Sequence, residues 1–167
     1  MDVIDQNKAQ RVWSRVMNSP VSAEPAGSAA EAAGDCGGSL TAERVMALVK
    51  DEQDACAAYR YLAGCVGGCA KKQLLQMAEE ERCHAKKLRA YYFLLTGKKA
   101  CAGPGKPPCV TCVNETLRQF YRKELEDARN YGRLAKLADE RACTFETMSR
   151  QECAHAHKLY CILQNTL

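Results

Sequence analysis

Residues 80–88, EERCHAKKL, and residues 151–159, QECAHAHKL, decide the fold of this 167-residue chain. Both segments place a glutamate three residues before a histidine and end in Lys-Leu. Two other segments match in the same way, since EQDACAAYRYLA begins at Glu52 and ELEDARNYGRLA begins at Glu124. In each of these a tyrosine follows seven residues after the glutamate, and Leu-Ala follows after two further residues. The chain therefore repeats one pair of segments, which predicts two matched helical hairpins.

Apolar residues at helical spacing predict one helix in each of the four segments. We expect these helices at about residues 42–64, 70–95, 114–137 and 142–164. Gly64, Gly67 and Gly68 are expected to end the first helix. Glycines and three prolines in residues 97–112 exclude a regular helix there and predict a connection.

Helical geometry places six polar residues of the repeat at one depth. In an antiparallel hairpin, residues equally far from the turn lie level with each other, since each residue rises about 1.5 Å. Glu52 and Glu81 are symmetric about position 66 or 67, and Glu124 and Glu152 are symmetric about Ala138. A glutamate and a histidine three residues apart share one helix face. The predicted metal ligands are Glu52, Glu81, His84, Glu124, Glu152 and His155.

The charge of this ligand set predicts the number and kind of metal ions. Four carboxylates buried together repel one another, whereas two divalent cations would balance their charge. Carboxylates with one imidazole per metal suit iron or manganese better than zinc, so we expect two metal ions, with iron favoured over manganese. The alternative is a helical bundle with surface glutamates and incidental histidines, which the matched positions disfavour. Glu79 and Glu80 are expected on a solvated face, and His157 on the surface or beside the ligands.

The length of residues 97–112 predicts how the two hairpins are joined. An antiparallel joint between helices needs only about two to eight residues. Sixteen residues can extend over roughly 50 Å, which exceeds the length of about 35 Å expected for each helix. Residues 41–167 are therefore predicted to form an all-α four-helix bundle with a long crossover between its second and third helices.

Residues 1–40 are predicted to be a separate segment, with a short amphipathic helix over residues 5–17 and a Ser/Pro/Gly/Ala-rich linker over residues 18–40. The 24 basic and 20 acidic residues are spread along the chain, which argues against nucleic-acid binding. No apolar run approaches the roughly 20 residues of a membrane span, and the N-terminus lacks a leader pattern. We therefore expect a cytoplasmic protein without membrane contact.

The cysteines do not form the pattern of a disulfide framework. Their number, eleven, is odd, and several lie on helical patterns, so we expect most to be reduced thiols in the core. Cys109 and Cys112 form a single C-x-x-C pair. Such a pair is typical of a redox dithiol or half of a zinc site, and inert loop thiols are the favoured alternative. No role is assigned to Cys65, Cys69 or Cys101.

The two copies of E-x6-Y and E-x-x-H resemble the ferritin-like diiron carboxylate proteins, and among them the rubrerythrins. This resemblance implies a ferritin-like fold and iron that reacts with a small oxidant, either hydrogen peroxide or dioxygen. It also implies that Tyr59 and Tyr131 hold the glutamates by hydrogen bonds. Asp127 matches the position of a glutamate that joins the ligands on oxidation in rubrerythrins. The family commonly forms homodimers, which implies a homodimer here.

One departure from the rubrerythrins concerns the source of electrons. Rubrerythrins carry a rubredoxin-like iron site built on two C-x-x-C pairs, whereas this chain has one. An oxidoreductase of the peroxidase or ferroxidase type would therefore need a separate electron-donor protein. Two interpretations without catalysis stay open. One is a bundle that binds or buffers iron or manganese, and the other is a bundle whose N-terminal helix or Cys-rich crossover docks a partner protein.

Overall fold

The computed structural model describes residues 40–138 and 141–166, which belong to one compact unit that spans Gly38–Leu167. Within these residues the chain forms four α-helices and no strand, which confirms the all-α prediction. The helices are α1 (Ala42–Cys65), α2 (Gly68–Thr96), α3 (Val113–Leu137) and α4 (Ala142–Thr166). The short helix predicted over residues 5–17 lies outside the described residues, as does the linker over residues 18–40 except for Leu40, which is buried.

Capping interactions fix the ends of the first hairpin. Thr41 is the N-cap of α1, and its side chain accepts a hydrogen bond from the Arg44 backbone at 3.3 Å. At the end of α2, Gly97 adopts a left-handed conformation with φ 68°, and its N–H donates to the carbonyl oxygen of Phe93. Only a residue that tolerates positive φ can close a helix in this way without strain, which explains why glycine occupies the position.

The turn between α1 and α2 is shorter than the glycine pattern predicts. Gly64 lies inside α1 and Gly68 begins α2, so that only Val66 and Gly67 separate the two helices. The predicted helix stops at Gly64 and Gly68 are therefore wrong. Glycine weakens a helix by about 1 kcal/mol without blocking it, and the packing of the hairpin outweighs this cost.

The apolar core consists of two clusters that lie on either side of the predicted ligands. α1 packs against α2, and α3 packs against α4. Along every helix, residues before the ligands contribute to one cluster and residues after them contribute to the other. The first cluster includes Leu62, Leu74, Leu117 and Leu163, and the second includes Val45, Leu88, Leu134 and Phe145. Burial of each such side chain contributes about 1.5–3 kcal/mol, so both clusters hold the helices around the polar layer between them.

The positions of Tyr59 and Tyr131 show the direction of α3 relative to α1. The Tyr59 hydroxyl donates to Glu124, and the Tyr131 hydroxyl donates to Glu52. Each tyrosine follows the glutamate of its own helix by seven residues, yet Tyr59 lies in the first apolar cluster and Tyr131 in the second, so the two helices are antiparallel. α2 is antiparallel to α1 across the short turn. α2 and α3 therefore run in the same direction, and residues 97–112 connect opposite ends of the two helices.

At Gly105 the connection lies directly against the backbone of α1. A Cβ atom at this position would lie 1.9 Å from the carbonyl oxygen of Gln53. The neighbouring Lys106 N–H donates to the side chain of Asp54 at 2.7 Å, which fixes the connection against the same turn of α1. Glycine is required here because the atom that a side chain would meet belongs to the helix backbone.

Gly105→Ala is expected to lower the free energy of unfolding by about 1–3 kcal/mol, because the connection must move away from α1 to admit a methyl group. Gly103→Ala is a matched control, since a Cβ at Gly103 would meet no atom within 4 Å. Urea denaturation followed by circular dichroism measures both variants. Equal stability of the two variants would contradict the close approach at Gly105.

The thiols and the end of α2 are more exposed than the sequence indicates. Ten cysteines lie in the described part of the chain, none of them in a disulfide, and only Cys56 is buried. The expectation that most thiols are core residues is therefore wrong. Cys153, for example, is exposed because the neighbouring ligands occupy the inward face of α4. At the end of α2, Leu95 continues the apolar pattern of the helix but is 45% exposed. None of the helices in the described ranges combines the length and the apolar character needed to cross a membrane.

Candidate metal centre

The structure brings the six predicted ligand side chains together in the polar layer between the two apolar clusters. All six are buried, with Glu52 6% exposed and the others at most 1% exposed. Their ligand atoms form two groups, and all atoms of a group lie within 4.8 Å of one another. One group is Glu52, Glu81, His84 and Glu152, and the other is Glu81, Glu124, Glu152 and His155. The two groups therefore share Glu81 and Glu152.

The helical spacing aims each histidine at the carboxylate of its own helix. His84 Nδ1 lies 3.0 Å from Glu81 Oε2, and His155 Nδ1 lies 3.0 Å from Glu152 Oε2. The glutamate and histidine of each pair are three residues apart, which is the spacing that places two side chains on one face of a helix. The repeat in the sequence therefore produces a matched pair of Glu-His arms, one on α2 and one on α4.

Each histidine also faces carboxylates of other helices. His84 Nδ1 lies 2.9 Å from Glu152 Oε1 and 3.8 Å from Glu52 Oε2. His155 Nδ1 lies 3.0 Å from Glu81 Oε1 and 3.4 Å from Glu124 Oε2. One ring nitrogen carries at most one hydrogen, so it cannot satisfy oxygens of three carboxylates at once.

Three buried carboxylate oxygens at the centre lie 2.9–3.4 Å from a histidine Nδ1 but have no hydrogen bond of normal geometry, namely Glu81 Oε1, Glu124 Oε2 and Glu152 Oε1. A buried carboxylate oxygen without a partner costs about 1–3 kcal/mol or more, which makes these atoms unfavourable unless a cation meets them. Oxygen ligands in excess, with one imidazole in each group, form a donor set that suits iron or manganese. The residues present therefore fit two divalent cations.

The pKa values of the cluster show how strongly its charges interact. Burial and the negative charges of Glu81 and Glu152 raise the pKa of Glu52 and of Glu124 well above the usual value. Burial opposes the charged form of His84, but hydrogen bonds to surrounding carboxylates outweigh burial and raise its pKa to about 12. Protons and divalent cations compete for such sites, and binding of a metal releases protons from the ligands.

Tyr59 and Tyr131 hold the two glutamates that belong to only one group each. The Tyr59 hydroxyl donates to Glu124 Oε1 and the Tyr131 hydroxyl donates to Glu52 Oε1. Both tyrosines are buried in the apolar clusters, one on each side of the ligands. These hydrogen bonds fix one oxygen of each carboxylate and leave the other oxygen directed toward the histidines, at the distances given above.

The sequence interpretation missed two residues that contact the far side of the histidine rings. Glu80 Oε2 lies 2.5 Å from His155 Nε2, and Gln151 Oε1 lies 3.0 Å from His84 Nε2. The assignment of Glu80 to a solvated face is therefore wrong, because its side chain reaches across to α4. The signal that could have found them is their matched position in the repeat, directly before each Glu-x-x-His.

Asp127 and His157 lie apart from the two groups. Asp127 is half-buried and forms an ion pair with Lys123, one turn earlier on α3. Burial raises the pKa of Asp127, although the charge of Lys123 acts in the opposite direction. His157 is exposed, and its Nε2 lies 3.7 Å from the sulfur of Cys161. The structure therefore brings the six predicted ligand residues together and places Asp127 outside the two groups.

No family model, curated protein or solved structure matches this chain. The functional inference consequently depends on the geometry of the centre itself. Its main features are two overlapping groups of buried ligands, two shared carboxylates and a hydrogen bond from a buried tyrosine to each of the other two carboxylates.

Proposed function

We propose that residues 41–167 form a ferritin-like bundle of the rubrerythrin type that holds two metal ions, with iron favoured over manganese. The observation that carries this proposal is the presence of Glu81 and Glu152 in both ligand groups. A carboxylate has two oxygens and can offer one to each of two cations. Glu52 with His84 would complete one metal position, and Glu124 with His155 would complete the other.

The energetics of burial support a metal-binding role for these residues. Isolated buried charges are unfavourable, and most soluble proteins place glutamate at the surface. Here four glutamates are buried at one level of a helical core, where apolar residues of similar volume would often be neutral or stabilising. The energetic cost of burying four glutamates is explained if two divalent cations neutralise their carboxylates.

We further propose that the iron-loaded protein is an oxidoreductase that reduces hydrogen peroxide. Breaking the O–O bond and forming two waters consumes two electrons and two protons, and a pair of ferrous ions supplies one electron each. The four carboxylates favour the more highly charged ferric state, because the attraction between charges grows with charge. The apolar clusters on both sides keep bulk water away from the ligands.

A separate electron-donor protein is part of this proposal, because both ferric ions must be reduced again for a second turnover. The described residues offer one C-x-x-C pair, Cys109 and Cys112, and both thiols are exposed. A rubredoxin-like site needs two such pairs. If no donor acts, the same centre could instead oxidise ferrous iron as its substrate, with peroxide or dioxygen as the oxidant.

The test is a single-turnover reaction under anaerobic conditions. The full-length protein is loaded with two ferrous ions per chain and mixed with one equivalent of hydrogen peroxide. We expect both ions to be oxidised, with a rise in near-ultraviolet absorbance and a matching loss of chelatable ferrous iron, several-fold faster than for ferrous iron in buffer. Bound iron that stays ferrous after peroxide is added would support non-catalytic metal binding instead.

A further inference from the structure

The two halves of the repeat differ at the residue directly before each shared glutamate. This residue is Glu80 in the first hairpin and Gln151 in the second. Each of these side chains contacts the histidine of the opposite hairpin at Nε2. His155 therefore faces a carboxylate, whereas His84 faces a neutral amide. The two ligand groups are otherwise built from the same residue types, two shared glutamates with one further glutamate and one histidine each.

Glu80 is held in place by contacts with its own helix, α2, and with α4. Lys158 Nζ lies 3.2 Å from Glu80 Oε2, and the Gln76 side-chain amide donates to Glu80 Oε1 at 2.8 Å. The lysine stabilises the ionised form of this carboxylate by charge attraction. His155 therefore meets a fixed anion rather than a mobile surface side chain.

The acceptor at Nε2 determines how well Nδ1 donates to a cation. When Nδ1 of a histidine binds a metal, Nε2 carries the hydrogen and donates it to a neighbouring group. An anionic acceptor draws this proton more strongly than an amide does, and it makes the imidazole a more basic ligand. His155 should therefore donate more electron density to its metal than His84 does.

We propose that the two metal positions are inequivalent and that Glu80, as a positioning residue for His155, makes the Glu124/His155 position the tighter one. This inference rests on the proposed dinuclear centre. The Glu124/His155 position fills first, and the Glu52/His84 position fills second. Lys123 does not produce this order, because its positive charge acts more strongly on Glu124 than on Glu52 and so disfavours a cation at the Glu124/His155 position.

The experiment exchanges the two residues in the full-length, metal-free protein. Titration with Co²⁺, followed by calorimetry and by cobalt absorbance, should give two separate steps in the unmodified protein. Glu80→Gln should weaken the tighter step by up to about 10-fold, the lower end of the effect of removing a hydrogen-bond partner of a metal-bound histidine, because glutamine keeps an acceptor oxygen and removes only the charge. Gln151→Glu should instead strengthen the weaker step. Opposite effects on separate steps are not expected from a general loss of structure.

Two further variants assign the steps, since Glu124→Gln should remove the tighter step and Glu52→Gln the weaker one. Glu79→Gln is the matched control, because Glu79 is exposed and pairs with Arg82. Two equal steps in the unmodified protein would overturn the inference and leave the dinuclear centre intact. The same holds if Glu80→Gln behaves like Glu79→Gln. Failure of the unmodified protein to bind Co²⁺ would overturn the proposed centre itself.

Discussion

Glu81→Gln combined with Glu152→Gln is expected to reduce bound metal from two ions per chain to none. Both residues belong to both ligand groups, so each substitution removes a carboxylate from both metal positions at once. Every position then keeps one carboxylate and one imidazole, which cannot compete with water for a hard divalent cation. The substitution changes charge at nearly constant volume, so packing of the helices is preserved.

Single variants at other glutamates separate the shared ligands from the rest. Glu52→Gln should leave about one ion per chain, because Glu52 belongs to one group only. Glu79→Gln should leave two, since Glu79 is exposed and outside both groups. Elemental analysis after dialysis against excess Mn²⁺, with helix content checked by circular dichroism, gives the count for each variant. Two ions retained by the double variant would exclude Glu81 and Glu152 as shared ligands.

The four helices and the cluster of six candidate ligands could be predicted because two kinds of regularity act on the same residues. Helical periodicity fixes which residues face inward, and the internal repeat fixes which depth they share. Glu52 and Glu81 lie level because they are equidistant from the turn, whatever the side chains around them do. For this reason each predicted helix end lies within two residues of the end in the structure, and the six candidate ligands lie together.

Residues whose role depends on a neighbouring helix were harder to predict. Glu80 stands among charged residues on α2, and its spacing alone indicates a surface position. Its contact with His155 depends on the distance between α2 and α4, which no pattern within one helix contains. Asp127, which the resemblance assigns as a ligand only on oxidation, forms an ion pair with Lys123, and its assignment stays a prediction.

Metal binding is expected to raise the unfolding temperature by roughly 15 °C when the free metal concentration is about 100 times the dissociation constant of each position. A ligand that binds only the folded state at this excess adds about 2.7 kcal/mol, and two positions add about twice that amount. The physical reason is that both ions bind the ligand set that only folding assembles, where they replace protons on buried groups. Thermal unfolding of metal-free and Mn²⁺-loaded protein, followed by circular dichroism, measures the shift.

Substitutions can change the unfolding temperature of the metal-free protein for reasons unrelated to metal. The shift in unfolding temperature on adding metal is therefore the quantity to compare between variants. Glu81→Gln with Glu152→Gln should give the same unfolding temperature with and without metal, whatever its value. Glu52→Gln should give about half of the shift, because one position is left. A chelator added to the loaded protein should return the metal-free unfolding temperature. If two ions bind without any shift, they must bind the unfolded chain equally well, and a buried site formed only by folding would be contradicted.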